Sequence, residues 1–166
     1  MKSILNALLA FLLLTSYLLP QSTEKSHNLA GSYLGQEPPG LTPKLFAPGI
    51  VSTGFNERDV TISPEGDEIY FGLLTGKQIT IMCSKLVNGV WTESEVAPFA
   101  IDDRFFYLEA SLSADGNKIS FLSTFPPKGK EPKPRWTYQN IWACERNKDG
   151  SWSEPYMDTV INQNDA

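Results

Sequence analysis

Thr61–Phe71 reads TISPEGDEIYF and Ser111–Phe121 reads SLSADGNKISF, and the two segments align without a gap at an offset of 50 residues. A fixed offset held over this many positions marks an internal repeat, in which one supersecondary unit is used more than once. Upstream the same offset places Ala47 and Pro48 on Ala97 and Pro98, Phe55 on Phe105, and acidic Asp59 on acidic Glu109. Downstream it becomes 61, as Cys83 meets Cys144, Gly89 meets Gly150, Trp91 meets Trp152 and Glu93 meets Glu154. The second copy therefore has 11 additional residues (61 − 50). Composition puts them within Ser123–Asn140, STFPPKGKEPKPRWTYQN, whose prolines and charges mark a surface loop.

Each copy reads as four short strands. The first covers Asp59–Ser63 or Glu109–Ser113 and ends in Ser-Pro-Glu-Gly or Ser-Ala-Asp-Gly, where Gly permits the positive φ of a tight turn. The second, Glu68–Leu73 or Lys118–Ser123, alternates in the period of two that a strand requires. A third, Ile79–Lys85 or Ile141–Arg146, runs through Asn-Gly or Asp-Gly into a fourth at Trp91 or Trp152. Both dipeptides favour hairpin turns because they accept left-handed φ.

The segments SPEGDEIYF with NGVW, and SADGNKISF with IWACER and DGSW, resemble the TolB-like, WD-repeat-like propeller family over about Lys44 to Ile161. That resemblance implies an all-β fold, a partial β-propeller of two four-stranded antiparallel blades, at about 57–98 and 107–160 within a folded region 44–166. KLFAPG, Lys44–Gly49, is expected to add an extra N-terminal strand that belongs to a preceding blade. Propellers generally have about 4 to 8 blades, so two copies suggest a truncated gene product, a fragment, or a subunit that completes its ring by association. Stacked repeats bury their apolar faces against neighbours, and self-association through uncovered blade faces is expected.

The N-terminus has the layout of a signal peptide, residues 1–22: Lys2, a mostly apolar run Ile4–Leu19, then Pro20 and polar residues. The run is short for a bilayer-spanning helix, which needs about 20 apolar residues. A membrane association is expected only where this segment stays uncleaved. Residues 23–43 read as a flexible leader, and the mature protein is expected to be exported, periplasmic or extracellular.

A net charge of −5 and a pI near 4.9 exclude nucleic acid as a partner, because phosphate binding needs a concentrated basic surface. The one basic cluster, Lys128, Lys130, Lys133 and Arg135, is diluted by Glu131 and prolines and reads as a solvated loop. The single His27 and two cysteines lack metal-ligand spacing, so no metal and no cofactor are expected. Cys83 and Cys144 are expected to stay unpaired, as equivalent positions on adjacent blades.

Candidate functional residues flank the first strand of each copy: Glu57, Arg58 and Asp59 in one, Arg104, Tyr107 and Glu109 in the other. Converging carboxylates suit cation or polyol binding, or acid–base work. Trp136 and Tyr138 sit in the inserted loop without counterparts in the first copy, and loops on a rigid scaffold commonly carry recognition. No Gly-x-Ser-x-Gly elbow is present, and the Ser113, Asp115, Gly116 trio lacks the spacing of a sialidase turn. The reading is a non-enzymatic binding or scaffold module of the cell envelope with a protein or carbohydrate ligand. The alternative is the N-terminal fragment of an exported carbohydrate-active or peptide-cleaving enzyme.

Overall fold

The computed structural model describes residues 32–38 and 40–162. The segment read as a signal peptide lies outside the described residues, as does much of the leader. No helix among the described residues is long and apolar enough to cross a membrane.

The described chain is all-β and forms two antiparallel sheets. The first contains β1 (Asn56–Ile62), β2 (Glu68–Thr75), β3 (Gln78–Val87), β4 (Val90–Trp91) and β5 (Glu95–Val96). Strands β1, β2 and β3 lie in order, and the outer edge of β3 is shared by the short β4 and β5. The second sheet runs β6 (Tyr107–Leu112), β7 (Lys118–Ser123), β8 (Asn140–Glu145), β9 (Tyr156–Met157). Trp152 makes only an isolated bridge to Arg146, so the fourth strand of this sheet begins later than expected.

The two Ser-x-x-Gly turns explain why the repeat keeps its serine. The Ser63 hydroxyl accepts from the backbone N–H groups of Asp67 (3.0 Å) and Glu68 (2.9 Å), and Gly66 bends at φ 72°. Ser113 accepts from the Lys118 N–H at 3.0 Å, with Gly116 at φ 70°. Each side chain satisfies donors that the tight turn leaves without ladder partners.

Strand pairing corrects the expected equivalence of the cysteines. Ile69 pairs with Ser84, whereas its repeat counterpart Ile119 pairs with Cys144. Ser84 is thus the counterpart of Cys144, and Cys83 that of Ala143. The cause is turn length. Asn88 and Gly89 form a two-residue turn with φ of 52° and 78°, closed by the pair Val87 and Val90. In the second copy the turn spans Asn147–Ser151, where the Asn147 N–H donates to the Ser151 carbonyl at 2.8 Å and only Gly150 has positive φ, 84°. One of the additional residues therefore lies here, and the other ten lie between β7 and β8.

Alternation sends Tyr70, Ile81 and Cys83 toward the second sheet, which answers with Ile119, Phe121, Trp142 and Cys144. Phe99, from the connection between the sheets, stacks on Phe121 with centroids 4.9 Å apart. Both cysteines enter this one layer, and both are free and buried. A fully buried large apolar side chain contributes about 1.5–3 kcal/mol, so this layer is the main tie between the sheets.

The expected strand at Lys44–Gly49 does not form. Pro43 and Pro48 offer no N–H to a ladder and Gly49 turns at φ 84°. The segment instead makes a turn in which the Ile50 and Val51 N–H groups donate to the Ala47 carbonyl, and the Ser52 hydroxyl donates to the Phe46 carbonyl. Leu34, Ala47, Ile50 and Val51 pack on the far face of the first sheet against Ile69, Phe71 and Trp91. That face was expected to be uncovered, and it is covered. On the far face of the second sheet Lys118, Ser120, Leu122 and Ile141 remain partly exposed, with Lys118 paired to Asp158 at 2.7 Å.

Candidate functional site

Strands β1 and β6 lie side by side, and the Leu112 N–H donates to the Thr61 hydroxyl at 3.3 Å. Each strand carries the same irregularity. Between the pairs Arg58–Gly72 and Thr61–Tyr70 the register of β1 slips, so Asp59 and Val60 stand opposite Phe71 alone. Between Leu108–Leu122 and Ser111–Ser120 the register of β6 slips likewise, and Glu109 and Ala110 oppose Phe121. Asp59 has φ 56° and Glu109 φ 58°. A β-bulge with its first residue in the left-handed region normally takes Gly, yet here both copies use an acidic residue.

The bulges bring their carboxylates to one guanidinium. Arg58 pairs with Asp59 through Nε, and its Nη2 donates to Glu109 Oε1 at 3.4 Å. Gly72 leaves room for this arrangement, because a Cβ there would stand 3.3 Å from Arg58 Cγ and 3.8 Å from Asp59 Oδ2. Arg58 and Glu109 are each about half exposed, so the edge offers a cation and two carboxylates to solvent.

The other sequence candidates go elsewhere. Glu57 accepts from the Thr53 N–H at 2.9 Å and from the Thr53 hydroxyl, which ties β1 to the segment before it. Burial is the largest single influence on the Glu57 carboxyl and raises it, but the hydrogen bonds together outweigh it and hold the group below its ordinary value. Arg104 closes on Asp102, with Nε at 2.8 Å from Oδ1 and Nη2 at 2.6 Å from Oδ2, and does not reach the bulges. Tyr107 is buried in the layer between the sheets, where desolvation pushes its phenol up to about 12, so it cannot touch a ligand at the surface. Trp136 packs on Phe106 with centroids 5.0 Å apart, and the Tyr138 hydroxyl donates to the Glu131 carbonyl at 3.1 Å. Those two residues belong to the loop between β7 and β8, apart from the Arg58 edge.

Two features escaped the sequence reading. The first is a polar latch between the sheets. Arg146 Nη2 donates to Glu68 Oε2 at 2.6 Å, Nη1 to Oε1 at 3.3 Å, and Nε to the Gly116 carbonyl at 2.9 Å. Lys85 reaches the same carboxylate at 3.0 Å, the Tyr70 hydroxyl donates to it at 3.1 Å, and Trp152 Nε1 donates to that hydroxyl at 2.9 Å. Nothing in single-sequence spacing joins Glu68 to Arg146, because the pair forms only when the sheets stack. The second is a cleft of about 770 Å³ between the 45–55 segment and the first sheet, lined by Leu45, Phe55, Phe71, Met82 and Trp91 among others.

Among the described residues no group of three or more His, Cys, Asp or Glu side chains is placed to hold a metal ion. No family model, curated protein or solved structure matches the chain.

Proposed function

We propose that the protein is an exported binding module of the cell envelope, built on TolB-like propeller blades and without catalysis of its own. The observation that carries this reading is the recurrence of an acidic residue at positive φ on the same bulge of both copies, Asp59 and Glu109, with Arg58 between them. Backbone strain of about 1–3 kcal/mol per residue persists where the surrounding structure over-determines it, and it concentrates at sites of recognition. Bulges re-aim side chains at sheet edges. The Arg58 edge combines donors and acceptors, the complement of a hydroxylated carbohydrate or the polar backbone and side chains of a protein partner.

The test uses the full chain and its Asp59→Asn/Glu109→Gln variant, on a saccharide array and in crosslinking to isolated envelope proteins. The wild type is expected to retain a ligand that the variant loses. Equal retention by the variant, or hydrolysis of glycoside or peptide substrates by the wild type, rejects the reading.

A further inference from the structure

We propose that the inserted loop between β7 and β8 seats the protein on an anionic lipid surface. The argument is independent of the Arg58 edge. Residues 128–137 are all exposed, and within them Lys128, Lys130, Lys133 and Arg135 face a single acidic residue, Glu131. None of the four loop cations pairs with a carboxylate among the described residues, and Lys133 lies over the Tyr138 ring; Lys44, Lys77 and Lys148 are likewise unpaired, but they are scattered singly along the chain, whereas the loop gathers four cations within eight residues. Unpaired cations are free to displace counterions from a charged surface, and clusters of 4–8 of them hold proteins on acidic lipid.

The loop is built to protrude. Pro126, Pro127, Pro132 and Pro134 favour extended backbone, and Gly129, at φ 81°, turns the tip with the Lys130 N–H donating to the Pro127 carbonyl at 3.0 Å. At its base the Thr137 hydroxyl donates to the Pro134 carbonyl at 2.9 Å, and Trp136 rests on Phe106. The indole is nonetheless 42% exposed. A half-exposed Trp beside cations suits the interface between headgroups and hydrocarbon.

Shape and charge select a plane over a polymer. The 770 Å³ cleft and the smaller one beside Arg146 are both lined without any residue of 123–140, so the loop takes no part in either concave site. The net charge is −5, and subtracting the loop's +3 leaves −8 on the rest of the chain. A flexible polyanion that wrapped the molecule would meet that charge. A flat surface can be met by the exposed residues 128–137, and charges more than about 8–10 Å from it are screened at physiological salt.

Sedimentation with phosphatidylglycerol-containing vesicles, against pure phosphatidylcholine vesicles, reads the proposal on the full chain. Wild type is compared with a variant in which Lys128, Lys130, Lys133 and Arg135 are all changed to Gln. Both proteins carry the same apolar N-terminus, so their difference reports the loop. Each cation is worth roughly a factor of five, so the loss of all four is expected to lower partitioning to the acidic vesicles by up to roughly 600-fold, and by roughly 30-fold if only two of them reach the headgroups. High salt is expected to abolish the difference, and Trp136→Phe to remove a blue shift in emission seen on binding. A variant that keeps its circular dichroism and binds acidic vesicles within about threefold of wild type overturns the proposal. So does a loop-dependent difference that is equal on neutral vesicles, or one found with soluble dextran sulfate but absent on vesicles.

Discussion

Arg146 leaves the end of β8 and crosses to the first sheet, where its guanidinium meets Glu68 in two hydrogen bonds and lies 4.2 Å from the centroid of the Trp152 ring. Both partners are largely shielded from water. Removing one partner of such a pair strands the other, at a cost of about 3–5 kcal/mol when burial is complete. Lys85 remains beside Glu68, so Arg146→Ala is expected to cost less, about 2–3 kcal/mol in urea unfolding, and Glu68→Gln less again. The same carboxylate makes stability depend on pH. Burial alone raises Glu68, but hydrogen bonds and charge from Arg146 and Lys85 hold it below its ordinary value. A group depressed on folding stabilises above its unfolded pKa, about 4.3, and that stability is lost as pH falls through the lower folded value. The urea midpoint of the wild type is therefore expected to drop between about pH 5 and pH 3 more than that of Glu68→Gln. Parallel curves for the two proteins would show that Glu68 does not couple to folding.

At the scale of the strand, the bulges set a testable contrast. Glu109 holds φ 58°, where an L-residue with a Cβ pays roughly 1–2 kcal/mol and Gly pays nothing for the conformation. Glu109→Gly is expected to leave stability unchanged or raise it by up to about 1 kcal/mol, because relief of strain offsets the entropy of the unfolded glycine. Glu109→Val, β-branched, is expected to lose about 1–2 kcal/mol or more. If both substitutions shift the urea midpoint alike, the left-handed backbone at this position is not what governs them. Much of this level was legible in the sequence. The offset of 50 located β1, β2, β6 and β7, because alternation and Ser-x-x-Gly turns are local signals. The bulges were not legible, since Asp59 and Glu109 lack the glycine that usually marks them. The cysteine match misled for a related reason. Identity of side chains aligned Cys83 with Cys144, while the turn at Asn147–Ser151 had absorbed one residue and moved the strand beneath it. The Arg58 edge was half legible: Arg58, Asp59 and Glu109 were named from the sequence and lie at one edge, while Glu57, Arg104 and Tyr107 depend on local pairing and burial that no spacing reveals.

Across the whole molecule, the two sheets and the segment before them form a layered stack in which Leu34, Ala47, Ile50 and Val51 shield Ile69 and Phe71. Ile50→Asp places a charge against that apolar face and is expected to detach the segment, exposing a patch of the size that drives association. Light scattering should then rise well above wild type, and scattering equal to that of wild type would mean that the segment is not what keeps this face from contact. The shielding also makes the two ends of the stack unlike. Leu34, Ala47, Ile50 and Val51 act as a lid on the first sheet, so another sheet can dock there only after they are displaced, whereas the face that carries Lys118 and Ile141 stands ready for one without any such step.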